Sequence, residues 1–552
     1  MNTRNPCAAW CGVFLTALVL YAATANRGAQ WQDSGYHILR IVTEQPLNPL
    51  GLALSHPLHH WLGRFAVSLN LLEPCLAITL VSALAAAIAV ANTFGCVVVL
   101  TRQWHGALLA ASSLAVAHTF WQMATLAETY TLAAALLSGE CWLLALYGKS
   151  RRPVYLWGAL LLNGLGVSNH MLASLTTVVL AAVVLHQAIS RAIRLRDVAA
   201  GAALWLIGAT PYIIMVVNEW CATQDFGGSI RSALFGHGYG PDVLNTKISQ
   251  RSLLIGVAFV VLCFPNLLLP AAAYGVGIAG RSGVPVLVKL ALLAGLIIHA
   301  VFALRYPVVD QHTFFLPMYV LLSIFAGIGF AGFLEQVNGS RRVLVTSAAW
   351  AMIGLTPCLY AVLPDLARNW GVLEAVERHK PYRDDYVYVF TPWSVAERSA
   401  ERMSREAVTL ASPYGTIVVE DRMAEFAVRY QARNIAPDRL QIVRDPNWHE
   451  IGLTAELGRS VVLVPANVDR VPNPPVGCFW SRSGDLFVLK PITRQDSIIK
   501  PTSRKGQRDL LEPSWDCGCP LCRHTKGVPQ SEELELRGPD NRNADPTYKP
   551  TP

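Results

Sequence analysis

Charge is scarce in this chain. Of its 552 residues, 15% are Asp, Glu, Lys or Arg and 53% are hydrophobic, where soluble proteins carry about 25% charged residues. The shortage excludes an ordinary soluble protein. Residues 75–100 contain no charge at all, which is long enough to cross a bilayer as a helix. An excess of one sign is missing too. The net charge is only +8, and basic residues in a membrane chain mainly set orientation, so no nucleic-acid partner is expected. No glycine-rich phosphate loop is present, which excludes a nucleotide-binding reading. A cysteine framework is also lacking. Of twelve cysteines, Cys75, Cys96, Cys141, Cys263 and Cys358 fall in apolar runs. Only Cys517, Cys519 and Cys522 cluster, with His524 behind them. That spacing suits zinc, but it has no second half, and no structural metal is expected there.

Apolar runs fill the first two thirds of the chain. They predict an α-helical polytopic membrane protein of about eleven spans, at 8–25, 75–100, 104–120, 129–147, 154–168, 171–187, 198–217, 252–277, 284–304, 313–333 and 343–363. Alternate loops collect Arg4, Arg102, Lys149, Arg151, Arg152, Arg191, Arg194, Arg196, Arg281, Arg341 and Arg342. The positive-inside rule makes that side cytoplasmic. The other side holds residues 26–73, 121–128, Asn169–His170, 218–251, 305–312 and everything after about Leu363. The first segment also reads as a signal peptide cleaved after Ala25; on either reading Asp33 lies outside.

Past the membrane region of 1–364 the pattern changes. β-Branched or alternating runs recur at Tyr386, Thr416, Leu440, Val461 and Asp485, with charged helical stretches at 394–410 and 421–434. They predict a small soluble α/β domain over 365–492. Residues 493–552, rich in Pro, Arg, Asp and Asn, are expected to be a disordered tail.

The outer loops are dense in polar residues. The first carries Asp33, His37, Arg40, Glu44, His56, His59, His60 and Arg64. Glu128 follows between Trp121 and Tyr130, Asn169 and His170 form a hairpin turn, and Arg305, Asp310 and His312 share a later loop. Ionisable groups at membrane depth are costly and point to function. Each residue also has a plain structural reading. Trp121 and Tyr130 suit interfacial anchors, Asp33 suits a cap for a helix beginning at Gly35 or Tyr36, and a single loop His suits solvent. The argument for function is that by span parity all of them face one side.

Five segments carry a family resemblance: "QDSGYHI", "LSHPLHHWLG", "HTFWQMATLAETYTL", "GLGVSNH" and "DQHTFFLPMYVLLSIFAGIGF". In them residues 1 to about 340 resemble the membrane family called domain of unknown function 2723. That family includes animal protein O-mannosyltransferases of the transmembrane-protein-260 kind. Tyr36 stands where the family's motif has Glu after Asp-Ser-Gly. The resemblance implies a GT-C-like glycosyltransferase that moves a sugar, such as mannose, from a polyprenyl-phosphate donor to an outward-facing protein, glycan or lipid acceptor. It implies Asp33 as base and Glu128 as a second acid, with Arg305 at the lipid phosphate. His37, His56, Trp121, Tyr130, Asn169, His170, Asp310 and His312 would bind substrate. Beyond the lipid-linked donor no cofactor is implied, and a divalent metal stays open. The implied setting is a bacterial cytoplasmic membrane with the C-terminal domain outside. Two rivals remain at this point. A transporter or flippase would place its ionisable groups at the bilayer midplane. A scaffold that lost activity is kept open by Tyr36.

Overall fold

A computed structural model describes residues 6–279, 283–374, 376–437 and 439–492; the cysteine cluster and the expected tail lie outside them. The chain begins with α1 (Pro6–Thr24), followed by α2 (Gln32–Val42), α3 (Pro57–Ser68) and the 28-residue α4 (Pro74–Thr101). Next come α5 (Trp104–Ala115), α6 (His118–Ala124), α7 (Tyr130–Ser150), α8 (Pro153–Asn169) and α9 (Ala173–Ile189). Then α10 (Leu195–Thr223), α11 (Phe226–Phe235), α12 (Gly240–Val243), α13 (Gln250–Cys263) and α14 (Leu268–Ile278) lead to α15 (Val286–Arg305), α16 (Leu316–Gln336) and α17 (Gly339–Asn369). Proline opens α3, α4 and α8 at the first helical turn, where its missing N–H costs nothing.

Seven helices among the described residues are long and apolar enough to cross a membrane, or eight if one bent pair is a single span. The expected count of eleven is therefore not reproduced. The run at 252–277 is α13 and α14, bent by 104°. Pro265 and Asn266 lie at the break: proline disfavours helix in the residue before it, and Asn266 Oδ1 accepts from the amide of Leu268 at 2.9 Å. The run at 104–120 is likewise two helices, α5 and α6. Where α14 meets α16, Gly329 has no room for a Cβ, which would collide with the Ala271 carbonyl oxygen. Such close approach is how helices associate without a hydrophobic drive between them.

Beyond α17 come α18 (Asp385–Phe390), α19 (Ser399–Ala411), β1 (Thr416–Val419), α20 (Arg422–Ile435), β2 (Gln441–Val443), α21 (Trp448–Glu456), β3 (Val461–Val464), β4 (Cys478–Ser483) and β5 (Leu486–Pro491). The sheet order is β2-β1-β3-β5-β4. β1 pairs parallel with β2 and β3, while β5 runs antiparallel to β3 and β4. The run at Tyr386, read from sequence as strand-like, is the helix α18. Asp384 caps it, accepting from the amides of Tyr386 and Val387 at 3.0 and 3.1 Å, and a satisfied cap outweighs the β-branched pattern.

The strand alternation sends side chains to two cores. Val418, Val461 and Leu463 pack with Ile451 of α21. Ile417, Val419, Val462 and Val464 pack with Met403 and Val408 of α19 and with Ala424, Ala427 and Val428 of α20. That second core also holds Trp31, Ile38 and Ile41 from α2 and its approach, and Ile78 of α4. One continuous apolar core thus joins the first loop to the sheet. Polar ties reinforce it: Trp31 Nε1 donates to Ser399 Oγ at 2.7 Å, Asn26 Nδ2 to the Glu397 carbonyl at 3.0 Å, and Gln122 Nε2 to the Tyr388 carbonyl at 3.1 Å.

Candidate active site

Asp33 is not a cap. It lies in the first turn of α2, whose N-cap residue is Trp31, without a side-chain cap bond. Its side chain is exposed, yet the surrounding protein is dense enough to act on its carboxyl. Gly35, two residues on, has no room for a Cβ, which would strike the Gln30 carbonyl oxygen. That close turn seats α2, so the glycine after Asp33-Ser34 is a geometric need.

Glu128 is pinned from several sides. Its amide donates to Ser82 Oγ at 3.0 Å, and Ser82 Oγ donates back to its carbonyl at 2.9 Å. Ala127 donates to Gln30 Oε1 at 2.9 Å. Ser34 Oγ donates to Glu128 Oε1 at 2.6 Å, tying the carboxyl to the residue beside Asp33. Asp310, between α15 and α16, accepts from the Tyr130 hydroxyl at 3.2 Å.

The three carboxyls lie close enough to shift one another. Burial raises Asp33 from the usual carboxylate range toward neutrality; Asp310 raises it further, and Arg422 partly offsets this. Burial, then the charge of Asp33, pushes Glu128 up to about 8, against the Ser34 bond. Asp310 is raised chiefly by burial. Carboxyls that cannot all ionise together are a mark of acid–base sites.

Histidines line the next stretch. The rings of His56 and His170 stack at 4.9 Å, His37 meets His56 at 5.5 Å and His59 at 5.2 Å, and His170 meets Tyr130 at 5.3 Å. Burial lowers all four, His56 to about 4 and His59 to about 3, so they are neutral at pH 7. Their hydrogen bonds assign the tautomers. His56 Nδ1 lies 2.7 Å from the Asn169 carbonyl and must donate, leaving Nε2 as an acceptor. His170 Nδ1 accepts from the Leu172 amide at 3.1 Å, leaving Nε2–H as a donor. Side by side, one acceptor and one donor suit a pair of hydroxyls. Asn169 Oδ1 and His59 Nε2 are buried without a partner, and such atoms are costly unless a ligand or water meets them.

The structure therefore brings together Asp33, Glu128, Asp310, Tyr130, His37, His56, Asn169 and His170. Three other candidates lie apart. Trp121 Nε1 donates to Thr24 Oγ1 at 3.0 Å and its ring meets Trp393 at 5.4 Å. His312 packs near Phe259 at 5.6 Å. Arg305 Nη1 donates to the carbonyls of Val243 and Asn245, which makes it a tether for the loop after α12. His59, noted among the first-loop polar residues, joins the site, as do Ser34 and Arg422, which were not singled out. Ser34 sits inside the Asp-Ser-Gly motif and was legible there. Among the described residues no group of three or more His, Cys, Asp or Glu side chains is placed to hold a metal ion. Separately, Glu140 and His299 line a small space within the helices, and Asn163 Nδ2 donates to Glu140 Oε1 at 3.3 Å.

Residues 53–192 match the family described as the protein O-mannosyl-transferase TMEM260 N-terminal domain. In fold the chain resembles ArnT from Cupriavidus metallidurans bound to undecaprenyl phosphate. Identity is 14%, the match covers 87% of this chain and 98% of that one, and the TM-score is 0.53. The Archaeoglobus fulgidus oligosaccharyltransferase in complex with Zn and sulfate is also similar, at 14% identity, 82% and 67% coverage and a TM-score of 0.44. No curated protein matches the chain in sequence. The chain thus shares the fold of ArnT, and its residues 53–192 resemble an O-mannosyl-transferase N-terminal domain.

Proposed function

We propose that the chain is a membrane glycosyltransferase that moves a sugar from a polyprenyl-phosphate donor to an acceptor hydroxyl outside the cytoplasm. One observation carries this reading. Asp33, Glu128 and Asp310, 277 residues apart at the extremes by their numbers, converge at the ends of spans beside neutral histidines. A site at span ends is where a lipid-borne phosphate and a soluble acceptor can meet; a transporter would hold its charges at midplane.

In the proposed reaction Asp33 takes the proton of the acceptor hydroxyl. The acceptor oxygen forms a bond to the sugar's anomeric carbon, and the bond from that carbon to the phosphate oxygen breaks. Polyprenyl phosphate leaves with the electron pair. A carboxylate raised toward neutrality is a well-matched base near pH 7. Glu128, raised to about 8, accepts from the Ser34 hydroxyl and does not compete as a second anion. The histidine pair and Asn169 hold sugar hydroxyls.

The sheet-bearing part packs on the first loop and therefore shares the side of the acids. Arg102, Lys149 and Arg151 sit at the opposite ends of α4 and α7, and the positive-inside rule places those ends in the cytoplasm. This orientation, a bacterial cytoplasmic membrane, mannose as sugar and a protein acceptor complete the reading. The ArnT likeness and the O-mannosyl-transferase segment support them. The test is transfer from radiolabelled undecaprenyl-phosphate mannose by the purified chain, with membrane extract as acceptor source. Label should reach a product that survives lipid extraction. Retention of all label in the lipid phase with every polyprenyl-phosphate sugar tried would refute the reading.

A further inference from the structure

Transfer from a lipid phosphate leaves a phosphate that has gained negative charge, and a dry site needs a cation to meet it. The arginines and lysine near the acids are mostly committed. Arg40 is 1% exposed and donates to the carbonyls of Gln45, Leu54, Pro46 and Ser55. Arg305 holds the loop after α12. Arg383 pairs with Asp385 at 2.6 Å, under the rings of Trp31 and Tyr388. Lys380 pairs with Asp421. Arg422 remains.

Its position follows from helix packing. Phe426 of α20 stacks on Tyr36 of α2, with ring centroids 4.4 Å apart. Arg422 is four residues before Phe426 and Asp33 three before Tyr36, so each lies on the same face as its partner, one turn back. The stack sets α20 against α2, with Phe426 also beside Gly35. Arg422 is half-buried, and its charge is felt by both Asp33 and Tyr36. No ion pair or hydrogen bond engages its guanidinium among the described residues. Tyr36, the departure from the family's motif, is thus the residue on which α20 docks.

We propose that Arg422 is the cation that receives the phosphate of the departing lipid, so that the membrane helices hold only part of the site and the sheet-bearing part completes it. This rests on the glycosyl-transfer reading above. As the sugar–oxygen bond breaks, the electron pair stays on the phosphate oxygen and the guanidinium fork donates to it. The proton from the acceptor has already gone to Asp33.

The test measures binding of undecaprenyl phosphate and of the uncharged undecaprenol to the full chain in nanodiscs, for wild type, R422Q, R422K and R429Q. Arg429 is an exposed residue of the same helix, paired with Glu425 at 2.7 Å. The expected result is a wild-type preference for the phosphate that falls about tenfold or more in R422Q, the size of a charge-assisted hydrogen bond. It should fall less in R422K, which keeps the charge but not the fork, and stay unchanged in R429Q. Undecaprenol binding should be equal in all four, a control that a merely structural role would not satisfy. Should R422Q not fold, a several-fold fall in R422K carries the same inference, and wild-type preference in R422K overturns it. A wild-type preference retained in R422Q overturns the role of Arg422 alone. No phosphate preference in the wild type overturns the lipid-phosphate donor and, with it, this proposal.

Discussion

Asp33→Asn is expected to slow transfer while leaving the fold as stable as before or slightly firmer. Asn keeps the size of the side chain and removes the base. A positioned base is worth about 10²–10⁴ in rate, or about 3–5 kcal/mol of barrier. The structural cost is small. Asp33 caps nothing; it lies in the first turn of α2, where a carboxylate's interaction with the helix dipole is worth about 0.3–1 kcal/mol. Against that loss stands relief from Asp310 and Glu128. The folded protein holds the Asp33 proton more tightly than the unfolded chain does, through burial and then Asp310. The contribution of Asp33 to stability is thus fully present below its ordinary 3.8 and is lost as pH rises through the raised value. Above neutrality the ionised carboxylate weighs against folding, and Asn removes that weight. Wild-type transfer should rise with pH through neutrality as Asp33 loses its proton, and the variant's residual rate should lack that rise. Initial rates from a labelled polyprenyl-phosphate sugar and melting curves in detergent measure both quantities. Transfer within about twofold of wild type, or a fall in melting temperature that accounts for the lost activity, would refute the reasoning.

Other perturbations follow from the same geometry. Glu128→Gln mimics the protonated acid, so below pH 8 it should retain activity far better than Asp33→Asn, with loss under about tenfold against the 10²–10⁴ of a base. Because Glu128 is raised to about 8 by burial and then by Asp33, wild-type stability should fall as pH rises from about 4.5 to 8, and this variant should fall less; equal melting curves from pH 4 to 9 would count against it. Arg305→Gln should lose two charged hydrogen bonds to the loop after α12, about 1.5–3 kcal/mol each at most, and open that loop to protease without changing phosphate preference. A cysteine introduced at Asn434 should react with an impermeant reagent in intact cells and one at Ser190 should not, with the exposed Cys7, Cys11, Cys221 and Cys358 replaced by Ser; the reverse pattern would invert the orientation.

Much of the helical architecture was legible because apolar runs such as 75–100 have few other ways to satisfy their backbone in a bilayer. The breaks within two of the apolar runs had local causes. Pro265 and Asn266 announced the bend between α13 and α14, but a hydropathy window averages over two polar positions. The stretch from His118 to Ala124 is a helix of its own, and its Gln122 bonds the chain beyond α17, a partner remote in sequence. Four of the five strand-like runs are the strands β1, β2, β3 and β5, while at Tyr386 the Asp384 cap decided the outcome. β4 carried too weak an alternation to be noticed. Asp33, Glu128, His170 and Asp310 stood out as polar groups at span ends. Arg422 did not, since a basic residue in an amphipathic, charged helix reads as a solvated face until the partner helix is known.

The tie between Trp31 and Ser399 spans 368 residues. At a synthesis rate of roughly 5–20 residues per second, the helix bearing Asp33 reaches the membrane about 20–70 s before the helix that covers it is made. During that interval the acids lie on an open surface without the arginine across from them. A nascent or truncated chain would then enter the bilayer with the acids in place but the site unfinished, so completion of the last helices would govern when the site is first assembled.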